Sequence, residues 1–131
     1  MSELVQSGGM LLMLALASAC GGMLRYVMSG IVAKYYGVRF PLATLFVNSS
    51  GAFTIGIMAA LIINFSAVAN IDYIIVSGFL GSYTTVSSFS LQTLALWQSQ
   101  YYRLALTNIG LSFGLCLGLV FAGFALGNWL C

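Results

Sequence analysis

The sequence of 131 residues contains no histidine, one proline and only six charged side chains, Glu3, Arg25, Lys34, Arg39, Asp72 and Arg103. Each scarcity excludes something. Without imidazole there is no histidine acid/base chemistry near neutral pH and no histidine metal site. Charged residues make up 5% of the chain, against about 25% in a soluble domain, and six charges cannot cover a water-soluble globule of this length. Four basic and two acidic residues leave a net charge of +2. That is too little to neutralise a run of phosphates, so nucleic acid is excluded as a partner. Cys20, Cys116 and Cys131 lie in or at the end of apolar runs without a CxxC spacing. They read as small apolar side chains rather than a redox or metal set. The first nine residues hold no basic cluster and no A-x-A site follows the first apolar run, so a cleaved leader is not expected.

What the chain does have is length of apolar sequence. It is 61% hydrophobic, with a mean hydropathy of +1.05. A bilayer core of about 30 Å needs about 20 apolar residues per helix, and four runs supply them: Met10–Ala33, interrupted only by Arg25, then Pro41–Phe65, Tyr73–Trp97 and Leu104–Cys131. The connections Lys34–Phe40, Ser66–Asp72 and Gln98–Arg103 are short, so consecutive helices run antiparallel. The expected fold is an all-α membrane protein, one domain over residues 1–131 with four transmembrane helices and no extramembrane domain. Pro41 opens the second run, where its missing N–H does no harm. Tyr35, Tyr36, Tyr73, Trp97, Tyr101, Tyr102 and Trp129 fall near span ends as an aromatic belt. Lys34, Arg39 and Arg103 all lie on one side, in the first and third connections, and the other side has no Lys or Arg. The positive-inside rule puts those two connections in the cytoplasm and both termini outside.

Polar groups inside spans are costly in hydrocarbon and therefore informative. Span one carries Gly21, Gly22 and Arg25. A charge midway along a span predicts a watery vestibule or a carbonyl partner rather than snorkelling to an interface. Span two carries Thr44, Asn48, Ser49, Ser50 and Gly51. Thr44 and Asn48 share a face, where interhelical hydrogen bonding worth about 0.6 kcal/mol is the plainer reading. Span three runs Gly78-Phe79-Leu80-Gly81-Ser82-Tyr83-Thr84-Thr85-Val86-Ser87-Ser88-Phe89-Ser90. Two glycines and seven hydroxyls at this depth predict a helix broken near its middle. Freed carbonyls at such a break can hold a cation, and the next helix N-terminus can face an anion. Span four places Gly110, Gly114, Gly118 and Ala122 four apart, a stripe that predicts close approach of a partner helix, from this chain or a second subunit. Polar atoms there are limited to Thr107, Asn108, Ser112 and Cys116.

The third group resembles the signature of the Fluc/CrcB fluoride-channel family, written GGxTTFSTFSxE, which stands here as Gly81-Ser82-Tyr83-Thr84-Thr85-Val86-Ser87-Ser88-Phe89-Ser90-Leu91-Gln92. Gly21…Arg25 and Thr44-Leu45-Phe46-Val47-Asn48 are similar to two further motifs of that family, and the resemblance covers essentially the whole chain. It implies a passive fluoride channel of the bacterial cytoplasmic (inner) membrane that lowers intracellular fluoride. It also implies an antiparallel, dual-topology dimer embedded in lipid, with pores along the dimer interface. The implied ion path holds Asn48, Phe89, Val86, Thr85 and Ser88, with Arg25 gathering anions in a vestibule. A structural, central sodium ion is implied on the backbone carbonyls of Gly81 and Thr84. The edge of the Phe89 ring is the positive end of its quadrupole and can face an anion.

The chain departs from the family pattern at Ser82, Val86, Ser88 and Gln92, and its fourth span shows Cys116 and Val120 where hydroxyls are usual. Val86 removes one of two signature rings. A one-sided Lys/Arg distribution suits a single insertion orientation, which a heterodimer with an oppositely inserted related subunit would accommodate; a homodimer is the other possibility. Two further readings differ in function. One is a structural, poorly conducting subunit that completes a partner's pore. The other is a small four-span multidrug exporter, which needs a carboxylate at mid-membrane, whereas Glu3 and Asp72 fall outside the spans. An enzyme is not expected, because no nucleophile and base can be paired within the spans.

Overall fold

The computed structural model describes residues 2–65 and 69–131. Helix α1 spans Ser2–Tyr36 and α2 spans Leu42–Asn64. The third span is built in pieces: α3 (Ala69–Tyr73), a π-helical stretch (Ile74–Leu80), α4 (Gly81–Tyr83) and, beyond a break, α5 (Val86–Gln98). Helix α6 spans Tyr102–Leu130. Among the described residues four segments are long and apolar enough to cross a membrane: Ser7–Tyr36, Leu42–Asn64, Ile71–Gln98 and Tyr102–Leu130.

Two boundaries differ from those expected. Helix α1 starts well before Met10. In the second connection, Ser66, Ala67 and Val68 lie outside the described residues, but Ala69 onward is helical. Asp72 is therefore not in a loop. It sits in the first turns of the third span, 6% exposed, with Oδ2 lacking a hydrogen-bond partner. Its place at the end of the span still leaves the membrane midplane without a carboxylate.

Helix α2 is the centre of the packing, and glycines set how close its neighbours come. A Cβ added at Gly56 would meet the Val120 carbonyl of α6, one at Gly123 would meet the Phe53 carbonyl of α2, and one at Gly127 would meet the Ala60 methyl. The two helices thus cross backbone on backbone, the geometry that small residues permit in a medium offering no hydrophobic drive between helices. Ala52 and Ala60 are buried along the same helix, and Asn64 donates to Asn128 Oδ1 at 2.9 Å at the end of the pair. Helix α1 packs on the first part of the third span in a similar way. Gly21 lies under the Phe79 carbonyl, and Gly78 lies against Leu14 and Ala17.

The first and third connections reverse through two left-handed residues. Gly37 has φ +78° and donates its N–H to Ala33 O at 2.9 Å, closing α1. Gln100, with φ +64°, does the same work after α5. Its N–H reaches Trp97 O at 3.0 Å, and the next N–H, of Tyr101, reaches Leu96 O at 2.9 Å. This is the two-bond helix stop in which glycine usually takes the left-handed place. Trp97 and Tyr102 pack edge to face across this turn, centroids 4.7 Å apart.

The expected partner of the small-residue stripe on α6 is not within the chain as described. Built Cβ atoms at Gly110, Gly114 and Gly118 would meet nothing within 4 Å. The glycines that make close contacts on α6 are Gly123 and Gly127, further along.

Candidate functional site: the broken third span and its groove

The break falls at Thr84 and Thr85, whose backbones are extended (φ −76°, ψ 156° and φ −149°, ψ 120°) between α4 and α5. The Asn48 side chain from α2 holds it open. Its Nδ2 donates to Thr85 O at 2.9 Å, and its Oδ1 accepts from Thr85 N at 2.7 Å. One amide therefore satisfies both backbone groups of a residue that has left the helix, as a neighbouring strand would. Thr85 also caps α5: its Oγ1 accepts from Ser88 N at 3.2 Å and lies 3.3 Å from Ser88 Oγ. Next to Asn48 on α2, Ser50 Oγ meets the Tyr83 hydroxyl at 2.9 Å. Gly51 has no side chain where the Thr84 methyl comes in.

These bonds decide which backbone groups are spare. In an unbroken helix Gly81 O would accept from Thr85 N, and Thr84 O from Ser88 N. Here Asn48 takes the Thr85 N–H and the Thr85 hydroxyl takes the Ser88 N–H. The carbonyls of Gly81 and Thr84 are left without their helical donors. On the other side of the break, the first turn of α5 presents N–H groups and the positive end of its dipole.

A groove of about 310 Å³ opens beside this break. Asn48, Val86 and Phe89 line it from one side, and Ser112, Phe113, Cys116, Leu117 and Val120 of α6 from the other. Phe89 and Phe113 stand at 85° with centroids 6.3 Å apart. The turn that carries Phe89 is pinned to α6: Thr93 Oγ1 donates to Phe89 O at 2.7 Å and accepts from Asn108 Nδ2 at 2.9 Å. Asn108 is 1% exposed.

The structure brings together Asn48, Val86 and Phe89 in one groove, with Gly81, Thr84, Thr85 and Ser88 at the adjoining break. Thr85 is buried and turns its hydroxyl to Ser88 and Ser87, rather than lining the groove. Arg25 stands apart on α1, half-buried, and no hydrogen bond or ion pair to it forms among the described residues. Of the two surroundings expected for it, a watery vestibule or a carbonyl partner, the carbonyl partner is not found among the described residues. Phe113, Thr93 and the Ser50–Tyr83 pair were not singled out from the sequence. The stripe Ser112, Cys116 and Val120, four apart on α6, was the available signal for the α6 wall, whereas a phenylalanine in an apolar run carries none.

The family model described as CrcB-like protein, Camphor Resistance (CrcB), matches residues 12–124. The chain belongs to the CrcB family. It is 46% identical over 120 residues to the fluoride-specific ion channel FluC 2 of Bradyrhizobium diazoefficiens, covering 89% of this chain and 88% of that one. It is also 46% identical over 128 residues to FluC 2 of Rhodopseudomonas palustris, covering 95% of each. Identity to the fluoride-specific ion channel FluC of Shewanella denitrificans is 39% over 113 residues, covering 86% of this chain and 91% of that one. Membership of this family together with four apolar spanning helices makes the chain an integral, multi-pass membrane protein.

Proposed function

We propose that the chain is a fluoride-selective passive channel, or one subunit of such a channel, that lets the membrane potential drive fluoride out of the cytoplasm. It is a channel and not an enzyme. The observation that carries the reading is the Asn48-held break opening beside a groove that presents the Phe89 ring and Ser112 at the middle of the spans. A small anion that sheds water needs donors and positive edges in its place. The groove supplies the Ser112 hydroxyl and ring edges, and the start of α5 adds the positive end of a helix dipole. Val86 borders this path, Thr85 lies behind it at the break, and Ser88 orders the turn that begins α5. Arg25, unpaired among the described residues, would raise the local concentration of anions.

The sodium ion implied by the family fits the break. Carbonyl oxygens are the hard ligands such a cation takes, and those of Gly81 and Thr84 lack their helical donors. Gly81 is exposed in the single chain, so a second subunit has access to complete the coordination. When bound, the ion would fix the break by neutralising these carbonyls.

An antiparallel dimer in the bacterial cytoplasmic membrane fits the open stripe Gly110, Gly114 and Gly118 on α6. The Lys/Arg bias of the connections favours one orientation for this chain, and hence a related partner that inserts the other way, over a homodimer. Val86, Cys116 and Val120 leave the groove with few polar atoms, which suits a subunit that draws part of its pore lining from that partner.

The test is fluoride efflux from liposomes containing the purified chain alone, with chloride as control. Rapid fluoride-selective efflux establishes a self-sufficient homodimer. Folded protein that passes no fluoride alone, but does so when co-expressed with a related subunit, establishes the heterodimer. No efflux in either case overturns the function.

A further inference from the structure

We propose that Phe113 is a second ion-path ring which, paired with Phe89, forms the constriction between two successive cavities on the α5–α6 face. The proposal rests on the reading of the Asn48 groove as the fluoride path. A second groove, of about 370 Å³, lies further along α5, lined by Thr93 and Trp97 among others. Phe89 and Phe113 are the two residues that line both grooves. Trp97 stands one residue from the end of α5, at the third connection. An ion leaving the Asn48 groove toward that side therefore passes the two rings.

The geometry suits an anion. A ring repels anions at its face and attracts them at its edge. In a perpendicular pair the edge of one ring covers a face of the other, so one negative face is taken out of the path. Beside the rings the groove is lined by Val86, Leu117 and Val120, which offer an anion nothing, and by Ser112 and Cys116, of which only the Ser112 hydroxyl is a strong donor. Both Asn48 amide atoms are bound to Thr85. Ring edges and the Ser112 hydroxyl are thus the favourable groups at this point, and without the Phe113 ring the α6 wall keeps only that hydroxyl and the Cys116 thiol among aliphatic side chains. Phe113 remains 61% exposed, free on the side away from Phe89. The pair is held in place. The Asn108–Thr93–Phe89 chain of hydrogen bonds ties the turn bearing one ring to the helix bearing the other, so Thr93 and Asn108 are positioning residues.

The experiment compares fluoride efflux of Phe113→Leu, Phe89→Leu and the double variant in the assembly that conducts, homodimer or co-expressed pair. The expected result is a fall of roughly tenfold for each single variant, with the double variant no worse than the more damaged single one. Val86→Phe, one turn before Phe89, should restore part of the flux to Phe113→Leu by returning a ring to the groove. Wild-type flux for Phe113→Leu beside lost flux for Phe89→Leu overturns the role of Phe113 and leaves the groove as the path. Wild-type flux for Phe89→Leu as well overturns the path itself. If Phe113→Leu does not fold, Phe113→Met fills the same space without a ring, and wild-type flux in that variant likewise overturns the proposal.

Discussion

Helix α6 carries small residues four apart over much of its length, yet its two halves have opposite surroundings. Gly123 and Gly127 lie against α2 with no room for a side chain, whereas Gly110, Gly114 and Gly118 face open space. The difference comes from α2. Its own small residues, Gly56 and Ala60, meet the C-terminal half of α6. At the level of Asn48, Ser50 and Gly51, α2 turns instead to the broken span, and a groove remains beside α6. One end of the α2–α6 pair is closed backbone on backbone, and its middle opens into a mostly apolar groove beside the broken span. A small-residue stripe therefore reports a capacity for close approach and does not name the partner.

The sharpest way to break this comparison is to put the same bulky side chain into each half. Gly123→Leu forces a side chain into the Phe53 carbonyl, and the helices cannot part without uncovering Gly56 too. Its destabilisation is expected at or above the upper end of the ~1–3 kcal/mol usual for overpacking, read as thermal unfolding in detergent. Gly114→Leu should leave that unfolding unchanged and, if the proposed dimer packs on this stripe, lower the fraction of cross-linked pairs. Equal unfolding penalties would erase the distinction between the halves.

Asn48→Leu attacks the open region at its anchor. It strands the N–H and C=O of Thr85, each costing about 1–3 kcal/mol when buried and unpaired, and should abolish fluoride efflux while α2 and α6 stay packed. Asn48→Asp keeps the acceptor for Thr85 N–H and loses the donor, so it should fall between. Wild-type efflux from Asn48→Leu would show that the break holds without its clamp.

The orientation expected from the positive-inside rule rests on a weaker bias of three basic residues. Gly8→Lys and Gly9→Lys introduce charges where nothing lies within 4 Å. They should let part of the protein insert the other way, so that the exposed Cys131 reacts with an impermeant thiol reagent from both sides rather than one. Labelling from a single side as before would remove the loop charges as the determinant. The smallest effect is expected at Gln100→Gly, which relieves a left-handed non-glycine residue at the end of α5. A stabilisation of about 1 kcal/mol should appear as a higher unfolding temperature. A lower one would mean that the Gln100 side chain contributes more than its backbone costs.

The interruption of the third span was readable from residues 78–90 because glycine and hydroxyl side chains weaken helix hydrogen bonding wherever they cluster. Its location at Thr84–Thr85 was not, since it depends on which backbone groups an amide from another helix reaches. Asn48 could be picked out as an expensive polar group, but its grip on Thr85 could not. Asp72 was placed in a connection because the apolar run starts after it. The helix begins earlier, and neighbours bury the carboxylate. The π-helical stretch before the break was not readable: Ile74, Ile75 and Val76 are ordinary strand and helix formers, and Gly78 weakens a helix without specifying a π turn.

The sequence by itself determined the class of the molecule, the number of spans, the interrupted third span and the family, because run length, charge scarcity and a contiguous motif are local properties of the chain. Tertiary structure alone decided which glycines are filled by a neighbour, which carbonyls lose their donors, and that Phe113 stands against Phe89. Those depend on how each helix is rotated and how far it slides along its neighbours. Backbone contacts between residues as distant as Phe53 and Gly123 set that rotation and register, and no local pattern carries them.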